Sequence, residues 1–178
     1  MFYSELDNTL VDFIKNQHIY FVASAPGHGR INLSPKGIDS FRISNSKKVT
    51  WLNLTGSGNE TAAHLLENGR ITLMFISFNG KPNILRIYGT GISIHPGDTR
   101  WVEELAKFPN IPGARQIIEV DIDSVQTSCG TGVPLYTYDG ERKQLIDWAE
   151  KRGEAGVKKY WGNKNMLSID GKSTGINL

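Results

Sequence analysis

Cysteine occurs once in the 178 residues, at Cys129, so no intrachain disulfide can form. That usage fits a reducing compartment. Excess charge of one sign is also missing. The formal net charge is +2, which gives no broad field for nucleic acid or a membrane surface. No apolar run approaches the roughly 20 residues that span a bilayer. The opening MFYSELDNTL carries acids where a secretory leader has bases. The expectation is a soluble cytoplasmic protein with one core.

The absences extend to catalytic motifs. His18, His28, His64 and His95 are scattered, with no pair at metal-site spacing and no further cysteine to complete a metal set. Nothing places a serine with a histidine and an acid, so no hydrolytic triad is expected. Three short stretches, GSG at Gly56 and GTG at Gly89 and Gly130, fall short of the glycine fingerprint of a Rossmann site. Cys129 lies in the small-residue stretch SCGTGVP and is read as a small buried hydrophobe rather than a reactive thiol.

What is present is a strand-rich pattern in an ordinary globular composition, 39% hydrophobic and 21% charged. SELDNTLVDFIKNQ reads as a helix capped by Ser4, with Leu6, Leu10, Phe13 and Ile14 as its apolar stripe. Six strands follow: His18–Ala25, the short RINLS, Val49–Leu54, Arg70–Phe78, Ile84–Ile94 and Arg115–Thr127. The fourth is too apolar to face water on either side, whereas the sixth alternates with period two. The short connections favour antiparallel pairing in a barrel or sandwich. DTRWVEELAKF reads as a helix between the last two strands. The tail GERKQLIDWAEKRGEAGVKKYWGNKN is charged and helical, with Leu145, Trp148 and Ala149 on one side. Its Trp148, Tyr160 and Trp161 interleave with bases. Glu150 and Glu154 dilute that charge, so packing onto the barrel is favoured over single-stranded nucleic acid.

The stretch NLTGSGNETAAHLLENGRITLMF, from Asn53, places a glycine turn directly before a helix at about Glu60 to Asn68. Asn59 is a good N-cap and Gly69 suits the position after the last turn. Two readings are open. Gly56, Ser57 and Gly58, with the first helix amides, suit a phosphate, or the turn simply ends a strand and caps a helix. Arg30, Lys36, Arg70 and Arg86 lie on the flanking strands, and a doubly charged phosphate suits cations of that kind. His64, in the same helix, is read as structural or partly exposed.

The ordered set RINLSPKG, VTWLNLTGSGNETAAHL, NGRITLMF and ILRIYG resembles the pyridoxamine 5′-phosphate oxidase-like flavoproteins, over roughly His18 to Ile94. The resemblance implies an α+β chain built on a six-stranded antiparallel Greek-key split β-barrel. It implies a single domain over 1–178, with a helical extension from about 139. It further implies a homodimer with FMN at the subunit interface and a small-molecule substrate or electron donor. By the same resemblance Arg30, Asn32, Ser34 and Lys36 contact the cofactor from the second strand. Ser57, Asn59 and Thr61 serve its phosphate, and Arg86 lies near its ring. The chain departs from the vitamin B6 enzyme of that family. Gly58 and Asn59 replace an Arg-Lys pair, and the tail KNMLSIDGKSTGINL lacks the histidine that grips pyridoxal phosphate. The expected function is therefore an FMN-dependent oxidoreductase of unknown substrate. The alternatives are a flavin or haem carrier on the same barrel and a deazaflavin-dependent reductase.

Overall fold

The computed structural model describes residues 1–178. Eight strands form one antiparallel sheet. They are β1 (Phe2–Tyr3), β2 (Tyr20–Ser24), β3 (Asn32–Lys36), β4 (Phe41–Asn45), β5 (Lys48–Leu54), β6 (Arg70–Ile76), β7 (Ile84–Ile94) and β8 (Ala114–Ser128). The helices are α1 (Asn8–Lys15), α2 (Glu60–Glu67), α3 (Trp101–Leu105) and α4 (Gln144–Lys164). Strand order is β3-β2-β6-β7-β8-β5-β4, with β1 added on β8. The sheet curls round a core and stays open between its two edges, β3 and β4, which makes a split barrel.

The interior is filled by Val22, Trp51, Leu73, Phe75, Leu85, Ile87, Val120 and their neighbours. Helix α1 closes one end with Leu10 and Ile14. Its cap is Asp7, whose carboxylate accepts from the Leu10 amide at 2.8 Å, and not Ser4. An acid there also offsets the positive end of the helix dipole.

Two strands exceed the expected six. β1 is only two residues long, and β4, FRISN, is half polar and lies at a sheet edge. Neither carries the apolar run that marks a strand in sequence. Burial patterns differ as well. β6 alternates, with Ile71, Leu73 and Phe75 buried and Arg70 exposed, so it is not covered on both faces. β8 is buried on both faces from Arg115 to Val120 and alternates only beyond. The cause is a second cluster, in which Phe108 and Ile111 pack with Leu52, Ile94 and Ile117 on the outside of β5 and β8. Burial on both faces erases a two-residue period.

The β3–β4 turn sets the end of the strand that carries Lys36. Ile38 (φ 61) and Asp39 (φ 43) both sit in the left-handed region, which is costly for a β-branched residue. Ser40 Oγ donates to the Gly37 carbonyl at 2.7 Å and holds the turn. In the tail, α4 breaks at Gly153 (φ 64, ψ 173), and its second half buries Val157 and Trp161 against Ala149 and Ile176. No helix is long and apolar enough to cross a membrane.

Candidate anion site

A cavity of about 310 Å³ lies between β3, the end of β5, the Gly56–Asn59 turn and the start of α2. Alternation on β3 turns Asn32, Ser34 and Lys36 to one face, and that face is a wall of the cavity. The opposite wall is Gly56, Ser57, Gly58, Asn59, Glu60 and Thr61. Six of the eight residues expected at a cofactor therefore meet here: Asn32, Ser34, Lys36, Ser57, Asn59 and Thr61.

The other two do not. Arg30 is exposed and ion-paired with Asp170, whose carboxylate also accepts from the Arg30 amide at 2.7 Å. Arg86 lies on the face of β7 opposite the buried Leu85 and Ile87, where its guanidinium donates to Ser128 Oγ at 3.2 Å. Odd and even positions of a strand face opposite ways, so a core on the Leu85 side turns Arg86 outward.

Arg115 is the site residue that sequence reading missed. It lines the cavity and is 3% exposed. In the β5–β8 ladder Asn53 pairs with Gln116 and Leu54 with Ala114, so Arg115 is the extra residue of a β-bulge. A bulge re-aims one side chain, and its place is a property of register that sequence pattern does not carry. Arg115 donates from Nη1 to the Gly58 carbonyl at 3.0 Å and from Nε to Gln116 Oε1 at 3.2 Å. Gln116 Oε1 also accepts from Asn53 Nδ2 at 3.0 Å, which leaves Asn53 Oδ1 to accept from Lys36 Nζ at 3.1 Å. Two cations are thus joined through two neutral amides. Neither forms an ion pair with a carboxylate. Burial, and next the charge of Arg115, push the Lys36 pKa down to about 8. Burial pushes that of Arg115 down to about 10. Two like charges, one buried and one half-buried, are costly without an anion, and an anion placed between them offsets that cost.

The turn itself is tied from behind. Asn59 is 2% exposed and makes no cap bond to α2. Its Nδ2 donates instead to the Asn165 carbonyl at 3.4 Å, and its Oδ1 is buried without a partner. The α2 amides at Thr61 and Ala62 donate to no protein group. Thr61 Oγ1 accepts from Asn32 Nδ2 at 3.1 Å, which joins the two walls. Below it, His64 is 1% exposed, fully inside rather than partly exposed, with Nδ1 at 2.9 Å from Ser24 Oγ.

A family model described as pyridoxamine 5′-phosphate oxidase matches residues 6–129. The curated pyridoxamine 5′-phosphate oxidase family protein ustO of Aspergillus flavus is 41% identical over 191 residues, covering 96% of this chain and 76% of that one. This chain belongs to the pyridoxamine 5′-phosphate oxidase family. Solved structures agree on the fold. HupZ of group A Streptococcus superposes with a TM-score of 0.54 at 18% identity, over 74% of this chain and 99% of its own. A candidate pyridoxamine 5′-phosphate oxidase of Lactobacillus delbrueckii gives 0.52 at 19%, over 70% and 95%.

Arg115 brings a positive charge to a turn, Gly56–Asn59, that carries none of its own. Cys129 ends the family match and is exposed, not buried as expected. Hydrogen bonding from the Thr131 amide lowers its thiol pKa. Cys129 lines neither the anion cavity nor the larger one beside it. That larger cavity, about 620 Å³, adjoins the first at Lys36 and is walled by Pro35, Ile38, Phe78, Tyr136 and the stacked His18–Tyr138 pair.

Proposed function

We propose that this protein is an FMN-binding flavoprotein, an oxidoreductase that holds the FMN phosphate between Lys36 and Arg115. The observation that carries the proposal is a pair of cations at a glycine turn, Arg115 buried and Lys36 half-buried, neither ion-paired with a carboxylate. A phosphate monoester bears close to two negative charges near neutral pH, which matches two cations and uncapped helix amides. Ser57 adds a hydroxyl, and Asn32 and Ser34 offer neutral hydrogen-bonding groups along the β3 wall. Gly56 and Gly58 carry no side chain to obstruct close approach. Glu60 is the one opposing charge in the lining. Its two oxygens accept from the Ile169 amide, both at 3.1 Å, which partly satisfies the carboxylate before any ligand arrives.

When bound, the isoalloxazine supplies hydride or electron transfer, and the protein supplies binding and orientation. Lys36 is placed to do more than bind. With a pKa near 8, its Nζ can hold or release a proton close to neutral pH. The anion cavity is at the small end of the range for ligand sites, so most of a tricyclic ring lies outside it. A second copy of the chain then covers the ring, as in the homodimer that the family resemblance implies.

The test is fluorescence quenching of FMN by the purified protein, followed by anaerobic reduction with a nicotinamide. Tight binding, with flavin that bleaches and then recovers in air over many turnovers, supports the proposal. Folded protein that leaves FMN fluorescence unchanged overturns it. Flavin that binds and resists every reductant overturns the oxidoreductase half.

A further inference from the structure

The C-terminal segment from Trp161 to Lys172 lies beyond the family match, yet it makes most of the contacts that hold the glycine turn. Trp161 Nε1 donates to Thr55 Oγ1 at 2.8 Å. Asn165 Nδ2 donates to the Gly56 carbonyl at 3.1 Å. The Asn165 carbonyl accepts both from Asn59 Nδ2 and, at 2.6 Å, from Thr174 Oγ1. The Ile169 amide meets the Glu60 carboxylate, Asp170 meets Arg30, and Lys172 pairs with Glu67. Trp161 is 6% exposed and Asn165 is completely buried.

These bonds fix more than the position of a loop. An asparagine before a helix ordinarily turns its side chain onto the second or third amide and satisfies it. Here the donation of Asn59 to Asn165 diverts that side chain, and the first amides of α2 stay free. Asn165, which does not line the cavity, also occupies the Gly56 carbonyl. A carbonyl oxygen facing a phosphate would repel it. The segment thus occupies the Gly56 carbonyl and the Asn59 side chain from outside the cavity, while the Gly58 carbonyl is held by Arg115 and Glu60 stays the one acid in the lining.

We propose that Trp161 and Asn165 are positioning residues for the phosphate end of the bound flavin. They act through Thr55, Gly56 and Asn59 and touch no ligand themselves. The inference rests on the FMN reading above and assigns its selectivity for a phosphate monoester to a part of the chain outside the barrel.

The experiment compares Trp161→Phe and Asn165→Ala with the wild-type chain, using FMN and riboflavin as the two probes. The wild-type arm reports on the FMN reading alone, since failure to bind FMN there sinks that reading and this one with it. Given wild-type binding, each variant is expected to lose about tenfold in FMN affinity, one lost hydrogen bond's worth. Riboflavin, which lacks the phosphate, is expected to bind each variant as it binds the wild type. A merely structural role would weaken both flavins together or neither, and either result overturns the proposal. Trp161→Phe keeps the ring that fills the core, so it supports the comparison if the alanine variant does not fold. Thermal melts without ligand check that both remain folded.

Discussion

Lys36 and Arg115 face one cavity through a bridge of two amides, Asn53 and Gln116, and no carboxylate completes the set. An ordinary buried cation would be paired. This arrangement makes the empty protein pay an electrostatic cost that a dianion relieves, so affinity and stability respond in opposite directions to the loss of a charge.

Lys36→Met tests that opposition. Removing a charge-assisted bond to phosphate costs roughly 1.5–3 kcal/mol, so FMN affinity should fall about 10- to 100-fold. The protein without ligand should melt at the same temperature or slightly higher, because a desolvated charge beside Arg115 has gone. Titration and differential scanning fluorimetry on the same sample check both. A large fall in melting temperature would show that the cation serves the fold.

Affinity should depend on pH through Lys36. Its pKa in the folded protein is about 8, below the ordinary 10.5. FMN binding favours the charged form, so affinity should be full below about pH 8 and weaken above it, by up to tenfold per unit. Without ligand the sign reverses. Between about pH 8 and 10.5 the unfolded chain binds more protons at this group than the folded one, so its contribution to stability rises with pH across that window. Titrations at pH 7 and 9 on wild-type and Lys36→Met protein separate the two, because the variant should lose the dependence.

Arg30 should matter little for FMN. The family resemblance assigns it to the cofactor, whereas the structure ties it to Asp170 outside the cavity. Arg30→Ala should change FMN affinity by less than about threefold and stability by less than about 1 kcal/mol, the usual range for an exposed pair. A loss as large as that of Lys36→Met would mean that Arg30 leaves Asp170 to reach the ligand.

Gly89 should be the least replaceable glycine of the barrel. The β7–β8 register shifts at Tyr88 and Gly89, and a Cβ built at 89 runs into the Asp121 carbonyl and, at 2.7 Å, into Val120. Backbone cannot move aside as a side-chain tip can. Gly89→Ala should destabilise by about 1–3 kcal/mol, read as a melting temperature lower by several degrees. An unchanged melting temperature would contradict the tight β7–β8 crossing.

The parts of this fold that were legible in sequence are those governed by local chemistry. Ile84–Ile94 shows its exact bounds because β-branched residues fill it and turn residues flank it. The turn before α2 and the Gly69 that ends it, at φ 68, follow from glycine alone. The β3 residues came from the family resemblance and not from pattern: RINLS reads as a strand over 30–34 closed by PKG, whereas β3 runs Asn32–Lys36, and alternation from there turns Asn32, Ser34 and Lys36 to one side. What was hidden depends on pairing between distant segments. Arg115 enters the site through a bulge, β4 is recognised only against β5, and Asn59 abandons its capping role for a residue 106 positions away. Cys129 departs from the usual burial of free cysteines because its place in a loop after a barrel strand leaves it in solvent.

The central claim is that the cavity recognises a phosphate, and retention of flavin through desalting tests it most directly. The protein is loaded in parallel with excess FMN and excess riboflavin, desalted, and its visible absorption recorded. Yellow protein from the FMN sample and colourless protein from the riboflavin sample is the predicted result. Colourless protein from both, or equal colour from both, would contradict the assignment of Lys36 and Arg115 as a phosphate clamp.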